Sequence, residues 1–316
     1  MKKIRVESCS LCQLRCTGCP SHAKKSRPFV LGKGYLTAAN FARLLLSDRT
    51  IEKVDLVNFG EMLLNPELLD IVRVAKSAGV ETTAWGGVNL NTAKEETLRG
   101  LVRLGFNSLS ASIDGACQET YSQYRIGGDF GTVLKNLDII VDEKRKLGTD
   151  RPALRWQMVV FGHNEHEIAT CRKMAEDRGM SFFPKMNHTP TMNPIRDAEA
   201  VMRETGWTAP DRPGFVRKEK KLYQGGACRQ LFNQLQVNWD GRSFGCCVNY
   251  WKPMTDKNAF EDGLPAIENG AELALARRIV TGAEPAPPDH FCAVCSTYAA
   301  MRRKNMWCEN PEKKEV

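Results

Sequence analysis

Six short β-rich runs alternate with helical patterns as far as residue 185, and this rhythm constrains the fold more than any other feature. The runs are KIRVES (3–8), KVDLVNF (53–59), VETTAW (80–85), SLSASID (108–114), LRWQMVVF (154–161) and SFFPK (181–185). Helical patterns separate them: LTAANFARLLLSD (36–48) with Thr37 as N-cap, Pro66 to about Ser77, 92–104, about Phe130 to Lys146, and 165–178. Pro66 suits a first helical turn and Gly79 a C-terminal stop. Strands joined by helices through short turns pair in parallel. Right-handed crossovers wind such units into a barrel, a partial barrel or an open doubly wound sheet, and periodicity alone does not choose.

After residue 186 the rhythm stops. Residues 187–222 are polar and carry Pro190, Pro194, Pro210 and Pro213, so they are expected to bridge two domains with one short helix. FNQLQVNWDGRSFGCC (232–247) is expected to form a β-hairpin that turns at Asp240-Gly241. A helix at 271–281, a proline-rich loop and a helix after Cys295 complete the chain, and no internal repeat is evident. At 316 residues, one large and one smaller domain are expected, burying ~75% of the unfolded surface. The boundaries read as 1–187, 188–222 and 223–316.

Twelve cysteines need a chemical explanation. Two lysines open the chain, but no apolar run of signal-peptide length follows them, and no stretch reaches the ~20 apolar residues of a membrane span. This points to the cytoplasm, where thiols stay reduced, and favours metal binding over a disulfide framework. The net charge of +8 permits an acidic substrate or redox partner without requiring nucleic acid. The basic run RKEKK (217–221) and the tail NPEKKEV (310–316) contain acidic residues and read as solvated surface.

Four of the cysteines lie in CSLCQLRCTGCP (9–20), directly after the first predicted strand. Zinc draws its four ligands more often from two separated pairs. The common bacterial ferredoxin run is C-x2-C-x2-C-x3-C, whereas the spacing here is C-x2-C-x3-C-x2-C. A third reading takes only Cys12-x3-Cys16-x2-Cys19 as the motif.

That spacing, in that place, resembles the radical S-adenosylmethionine (SAM) superfamily. The resemblance implies a partial (β/α)6 TIM-like barrel followed by a small α+β domain. It also implies a [4Fe–4S] cluster held by Cys12, Cys16 and Cys19, with its fourth iron open to S-adenosyl-L-methionine and Cys9 a bystander. Other segments fit in order. NFGEMLLNP (58–66) resembles the family's GGEP turn at Gly60 and Glu61, and departs from it at Phe59 and Met62. TTAWGGVNL (82–90) occupies the place of TTNG. SASIDG (110–115) offers Ser112 and Asp114 to the ribose, and YRIGGDF (124–130) offers Arg125 to a carboxylate. WQMVVFGHNEHE (156–167) resembles the fifth strand and its turn. Gly18 stands where many members carry an aromatic residue. His163 and His166 read as surface or turn histidines.

The C-terminal third carries a second set, Cys228, Cys246 and Cys292-x2-Cys295, with Gly241 ahead of Cys246. It resembles the SPASM/twitch auxiliary module in its shorter form, since the CX2CX5CX3C run of the full form is absent. One auxiliary [4Fe–4S] cluster on these four thiols is implied, with an all-thiolate zinc site as the alternative. Cys117 and Cys171 read as packed cysteines. Cys247 is either incidental or a hydrogen-atom donor, and Cys308 either an outer ligand or a donor.

The implied function is reductive cleavage of S-adenosylmethionine to a 5′-deoxyadenosyl radical that abstracts a substrate hydrogen. Dehydrogenation or epimerisation of a small molecule such as a sugar or cyclitol is expected, with flavodoxin or ferredoxin as reductant. Eleven residues precede Cys12, so no fused leader-recognition domain is expected there. The alternatives are a maturase acting on a ribosomal peptide or protein, and a non-catalytic iron–sulfur or zinc protein.

Overall fold

A computed structural model describes residues 2–22, 27–187, 191–223 and 225–309. The readings of Pro190 and of the tail 310–316 lie outside these residues. Strands and helices alternate as β1 (Lys2–Val6), α1 (Ala38–Ser47), β2 (Ile51–Asp55), α2 (Leu68–Ser77), β3 (Glu81–Val88), α3 (Glu95–Arg103), β4 (Ser108–Ser112), α4 (Gln118–Tyr124), α5 (Phe130–Leu147), β5 (Ala153–Val160), α6 (Ile168–Glu176) and β6 (Ser181–Met186). The six strands are parallel and lie in the order β6-β5-β4-β3-β2-β1. The sheet is open, as in a partial barrel.

Local chemistry sets several boundaries. Thr37 accepts the Asn40 N–H at 3.1 Å and caps α1, as its sequence position implies. Asp129 caps α5 through Thr132, and Gly148 ends that helix in the left-handed region. Pro66 does not enter α2, which starts two residues later with Glu67 as N-cap. The second strand stops at Asp55 rather than Phe59, because the Phe59 and Gly60 N–H groups donate to the Glu7 carboxylate instead of to a ladder.

The two faces of the sheet differ in character. On β5, Leu154, Trp156, Met158 and Val160 are buried in the core beneath the helices. Arg155 and Gln157 alternate with them and face the concave side, as a period of two requires. Phe41, Leu44, Ile71, Leu98, Leu101 and Leu137 complete the helix–sheet core. Removing such a side chain costs about 2–5 kcal/mol. The concave face instead carries an Arg5–Asp55 ion pair at 2.9 Å, with Asp55 almost wholly buried.

The C-terminal segment is more helical than its prolines suggest. It contains α7 (Ala198–Thr205), α8 (Arg212–Glu219), α9 (Gly225–Asn233), β7 (Gln236–Val237), β8 (Ser243–Gly245), α10 (Leu264–Glu268), α11 (Ala271–Val280) and α12 (Ser296–Lys304). Two helices, not one, fill the bridge. Asp197 and Asp211 cap them, and Pro213 sits in the first turn of α8, where its missing N–H costs nothing. The hairpin forms as expected, with Gly241 at φ +88° where a Cβ would lie 2.0 Å from Asn258 Oδ1. Its strand β7 pairs in parallel with β1, so the hairpin extends the barrel sheet past its first strand. Among the described residues no helix is long and apolar enough to cross a membrane.

Candidate metal and cofactor site

The loop after β1 lies at the C-terminal edge of the sheet, where the ends of parallel strands gather functional loops. Its shape is set by backbone bonds. Cys19 N–H donates to Cys16 O at 3.1 Å, and Gly18 takes φ +82° to make that turn. Arg15 and Thr17 N–H groups donate to Ile126 and Tyr124 carbonyls at 2.9 and 3.3 Å. The YRIGGDF segment therefore serves first as a backbone support for the cysteine loop.

Cys12, Cys16 and Cys19 form one electrostatic group. Burial pushes the Cys12 thiol up to about 12, and the neighbouring Glu61, Cys16 and Cys19 add to the effect. Burial also raises Cys16, against the opposing pull of Arg125. Asn89 Nδ2 lies 3.6 Å from Cys12 Sγ, and Arg125 Nη1 lies 3.7 Å from Cys16 Sγ. Cys9 belongs elsewhere. It is fully buried, its thiol approaches only the Leu11 carbonyl, and burial pushes it up to about 11. Neutral thiols bind metal by losing protons, and a cationic cluster supplies the charge that reverses these shifts. The three-thiol donor set fits an iron–sulfur cluster with one open corner. Among the described residues no three His, Cys, Asp or Glu side chains stand in the array of a single-ion site.

The turn containing Gly60 and Glu61 packs directly on this loop. A Cβ on Gly60 would lie 1.9 Å from the Cys9 carbonyl oxygen, so only glycine fits. Glu61 N–H donates to Leu11 O at 2.8 Å, and its carboxylate accepts from the Leu63 and Asn89 N–H groups at 3.1 and 2.6 Å. Burial pushes Glu61, and likewise Glu7, up to about 7. Glu7 carried no motif in the sequence, yet it holds the Phe59–Gly60 turn by two N–H bonds. Asn89 was also missed as an individual residue, although it lies within the segment compared with TTNG. Its Oδ1 accepts a hydrogen bond from Gln13 Nε2 at 2.7 Å, which fixes it beside Cys12.

Ser112 ends β4, and Asp114 follows two residues beyond it. Ser112 Oγ would meet a Cβ on Gly87 at 2.1 Å, which explains a glycine there. Asp114 is fully buried, pairs with Arg125 Nε, and accepts the Val159 N–H. Arg125 thus bridges Asp114 and Cys16, and the Asp114 charge lifts it well above the ordinary arginine value despite burial. His163 is buried rather than on the surface. It stacks on Phe161 at 5.2 Å, and neither ring nitrogen has a hydrogen-bond partner among the described residues. His166 is exposed.

The second thiol group is assembled by α9, the hairpin and the turns before α12. Cys228, Cys246, Cys292, Cys295 and Cys308 are all buried there. Cys246 feels the charges of Cys295 and Cys292, while Cys228 feels those of Cys246, Cys308 and Cys295. A shared hydrogen bond raises Cys228 and lowers Cys308. The structure therefore brings a fifth thiol, Cys308, to the expected four. Cys247 turns the other way, towards Arg5 and Lys185 on the concave face, with its N–H held by Gln230 Oε1 at 2.8 Å. Cys171 is packed as expected, whereas Cys117 is exposed beside Glu167.

A hollow of roughly 560 Å³ lined by Leu45, Leu46, Val74 and Val80 lies between α1 and α2, away from both thiol groups. Asp48, Arg49, Arg73 and Ser77 also line it.

No protein-family model matches the chain, and no curated sequence matches it. Solved structures do. SuiB of Streptococcus suis bound to S-adenosylmethionine superposes with a TM-score of 0.67 at 13% identity, over 94% of this chain and 71% of SuiB. SuiB bound to its precursor peptide SuiA gives 0.64 at 13% identity, over 86% of this chain and 65% of SuiB. BtrN in complex with AdoMet and 2-DOIA gives 0.52 at 15% identity, over 94% of this chain and 93% of BtrN. The likeness at such identities is one of fold.

Proposed function

We propose that this chain is a radical SAM enzyme whose Cys12, Cys16 and Cys19 hold a [4Fe–4S] cluster. The observation that carries this reading is the three-thiol loop, braced by Asn89 and Arg125, on the C-terminal edge of a partial barrel. When bound, the cluster and S-adenosylmethionine would together supply a 5′-deoxyadenosyl radical that takes a hydrogen atom from substrate. The protein's part is to hold and shield. Arg125 offsets thiolate charge at Cys16, and the Gly60 turn lets backbone approach without a side chain. Ser112 and Asp114 line the wall of β4. Cys228, Cys246, Cys292 and Cys295 would hold an auxiliary [4Fe–4S] cluster, with electrons entering from a flavodoxin or ferredoxin.

Two outcomes compete after hydrogen abstraction. A closed, buried auxiliary group suits removal of an electron, giving an oxidised product. Cys247, turned towards the concave face, suits return of a hydrogen atom and hence epimerisation. The near full-length match to BtrN, whose complex holds 2-DOIA, supports a small substrate such as a sugar or cyclitol. SuiB bound to SuiA supports the alternative of a peptide. Anaerobic reconstitution should give roughly eight irons per chain for two such clusters, and 5′-deoxyadenosine on reduction. Zinc in place of iron, or no cleavage, would refute the reading. Turnover in D2O separates the outcomes: one stable deuterium, lost in Cys247→Ala, marks epimerisation.

A further inference from the structure

On the concave face two cations lack a carboxylate partner among the described residues. Asp55 is taken by Arg5, and Asp114 by Arg125 and the Val159 N–H. Glu7 is taken by the Phe59 and Gly60 N–H groups, and Glu61 by those of Leu63 and Asn89. Two cations on the same face have no carboxylate. Arg155 donates to Ser110 Oγ at 3.0 Å and to the Trp85 carbonyl at 2.9 Å, between the rings of Trp85 and Phe183. Lys185 lies two residues along β6 from Phe183, and its ammonium makes no hydrogen bond or ion pair among the described residues. Burial and the nearby Arg212 push its amine down to about 8, against the weaker pull of Asp114 and Cys247.

The surroundings of Lys185 are open as well as charged. Trp85, Gly86, Gly87, Phe183, Lys185 and Cys247 are all partly exposed, while the opposite face of the same strands is closed. The charges of Asp114, Arg125 and Cys247 all reach Lys185. It shares its face of β6 with Phe183, whose ring meets the Arg155 guanidinium. An unpaired ammonium held in such a place is costly, and an incoming anion relieves that cost.

We propose that Lys185 is the anchor of an anion subsite, and that the substrate carries a carboxylate or phosphate group which pairs with it. This rests on the proposed function for the identity of the site, but not on any radical step. An anion on Lys185 would seat the substrate on the concave face beside Phe183 and Arg155.

The test is binding to the anaerobically purified full chain, followed by ligand-observed NMR with acetate and with methyl phosphate. Saturable binding of one probe is expected, weakened at least about tenfold in Lys185→Met and retained in Lys185→Arg. The probe that binds tells a carboxylate from a phosphate ester. Iron content and melting temperature report folding, and Lys185→Gln replaces the methionine variant should that one lose iron. No saturable binding of either probe, or equal binding to wild type and both neutral variants, would overturn the proposal. Probe binding by a protein that cleaves no S-adenosylmethionine would refute the proposed function and leave the subsite standing.

Discussion

The two thiol groups are built on opposite plans. The N-terminal three hang on a loop at the sheet edge, with Cys12 and Cys19 partly exposed, braced by Asn89 from the end of β3 and Arg125 from the end of α4. The C-terminal five are buried among α9, the hairpin and α12, where Cys228 shares a hydrogen bond with Cys308 and meets Met301. A set with a missing ligand and an approachable side suits chemistry on a bound molecule. A closed, thiol-rich set suits storage or passage of electrons. On this view the number of cysteines is less informative than how many sides each group leaves open.

The largest effects should come from breaking each group separately. Cys12→Ser is expected to reduce 5′-deoxyadenosine formation to background and to remove about four irons per chain. Cys292→Ser should also remove about four irons while leaving S-adenosylmethionine cleavage measurable. Iron analysis with a single-turnover cleavage assay checks both, and cleavage lost equally in both variants would break the contrast. Cys308→Ser sharpens it: unchanged iron assigns the auxiliary site to the other four thiols.

Arg125 comes next, because it joins the open site to the core. Arg125→Met strands the buried Asp114 carboxylate with the Val159 N–H as its main remaining partner. Breaking a buried pair in this way costs about 3–5 kcal/mol, read as a lower urea midpoint. Arg125→Lys should recover part of the loss, since a lysine restores charge but cannot reach Asp114 and Cys16 together.

The open site was largely legible in sequence because a short loop must carry its ligands close together. The spacing of Cys12, Cys16 and Cys19 and the Gly60-Glu61 turn could be read directly. The βα rhythm likewise gave six strands in parallel order. What escaped was contact made across long sequence separations. Glu7 supports residues 59 and 60, and Asn89 reaches Cys12, through pairings that exist only once the sheet forms. The two bridging helices were hidden because proline was read as a breaker, when Pro213 begins α8. Cys308 joined the closed group from the far end of α12, where no local pattern marks it.

The comparison also locates a pH response in the open site. Glu7 and Glu61 are raised by burial from 4.5 to about 7. Between those values the native state holds more protons than the unfolded chain, so stability falls as pH rises through 7. The stabilising contribution is fully present below about 4.5, and its loss is on the order of 3 kcal/mol per group. Glu61→Gln should flatten part of the slope of urea midpoint against pH from 5 to 8, and Glu7→Gln another part. An unchanged slope in both variants would place the response elsewhere.

The smallest effect should come from Cys9, and it tests the whole distinction between ligand and bystander. Cys9 is three residues from Cys12, yet its thiol faces the Leu11 carbonyl, and its backbone bridges to Tyr35. The charges it feels come from Glu7 and Glu61, not from the other thiols. Cys9→Ser exchanges a buried thiol for a hydroxyl with one nearby acceptor, at a cost of about 1–2 kcal/mol. Iron content and the cluster's electron paramagnetic resonance spectrum should not change, because Cys12, Cys16 and Cys19 keep their loop bonds. A lost or altered spectrum in Cys9→Ser would make the N-terminal group a closed four-thiolate site like its C-terminal counterpart, and the open corner on which the proposed chemistry depends would be gone.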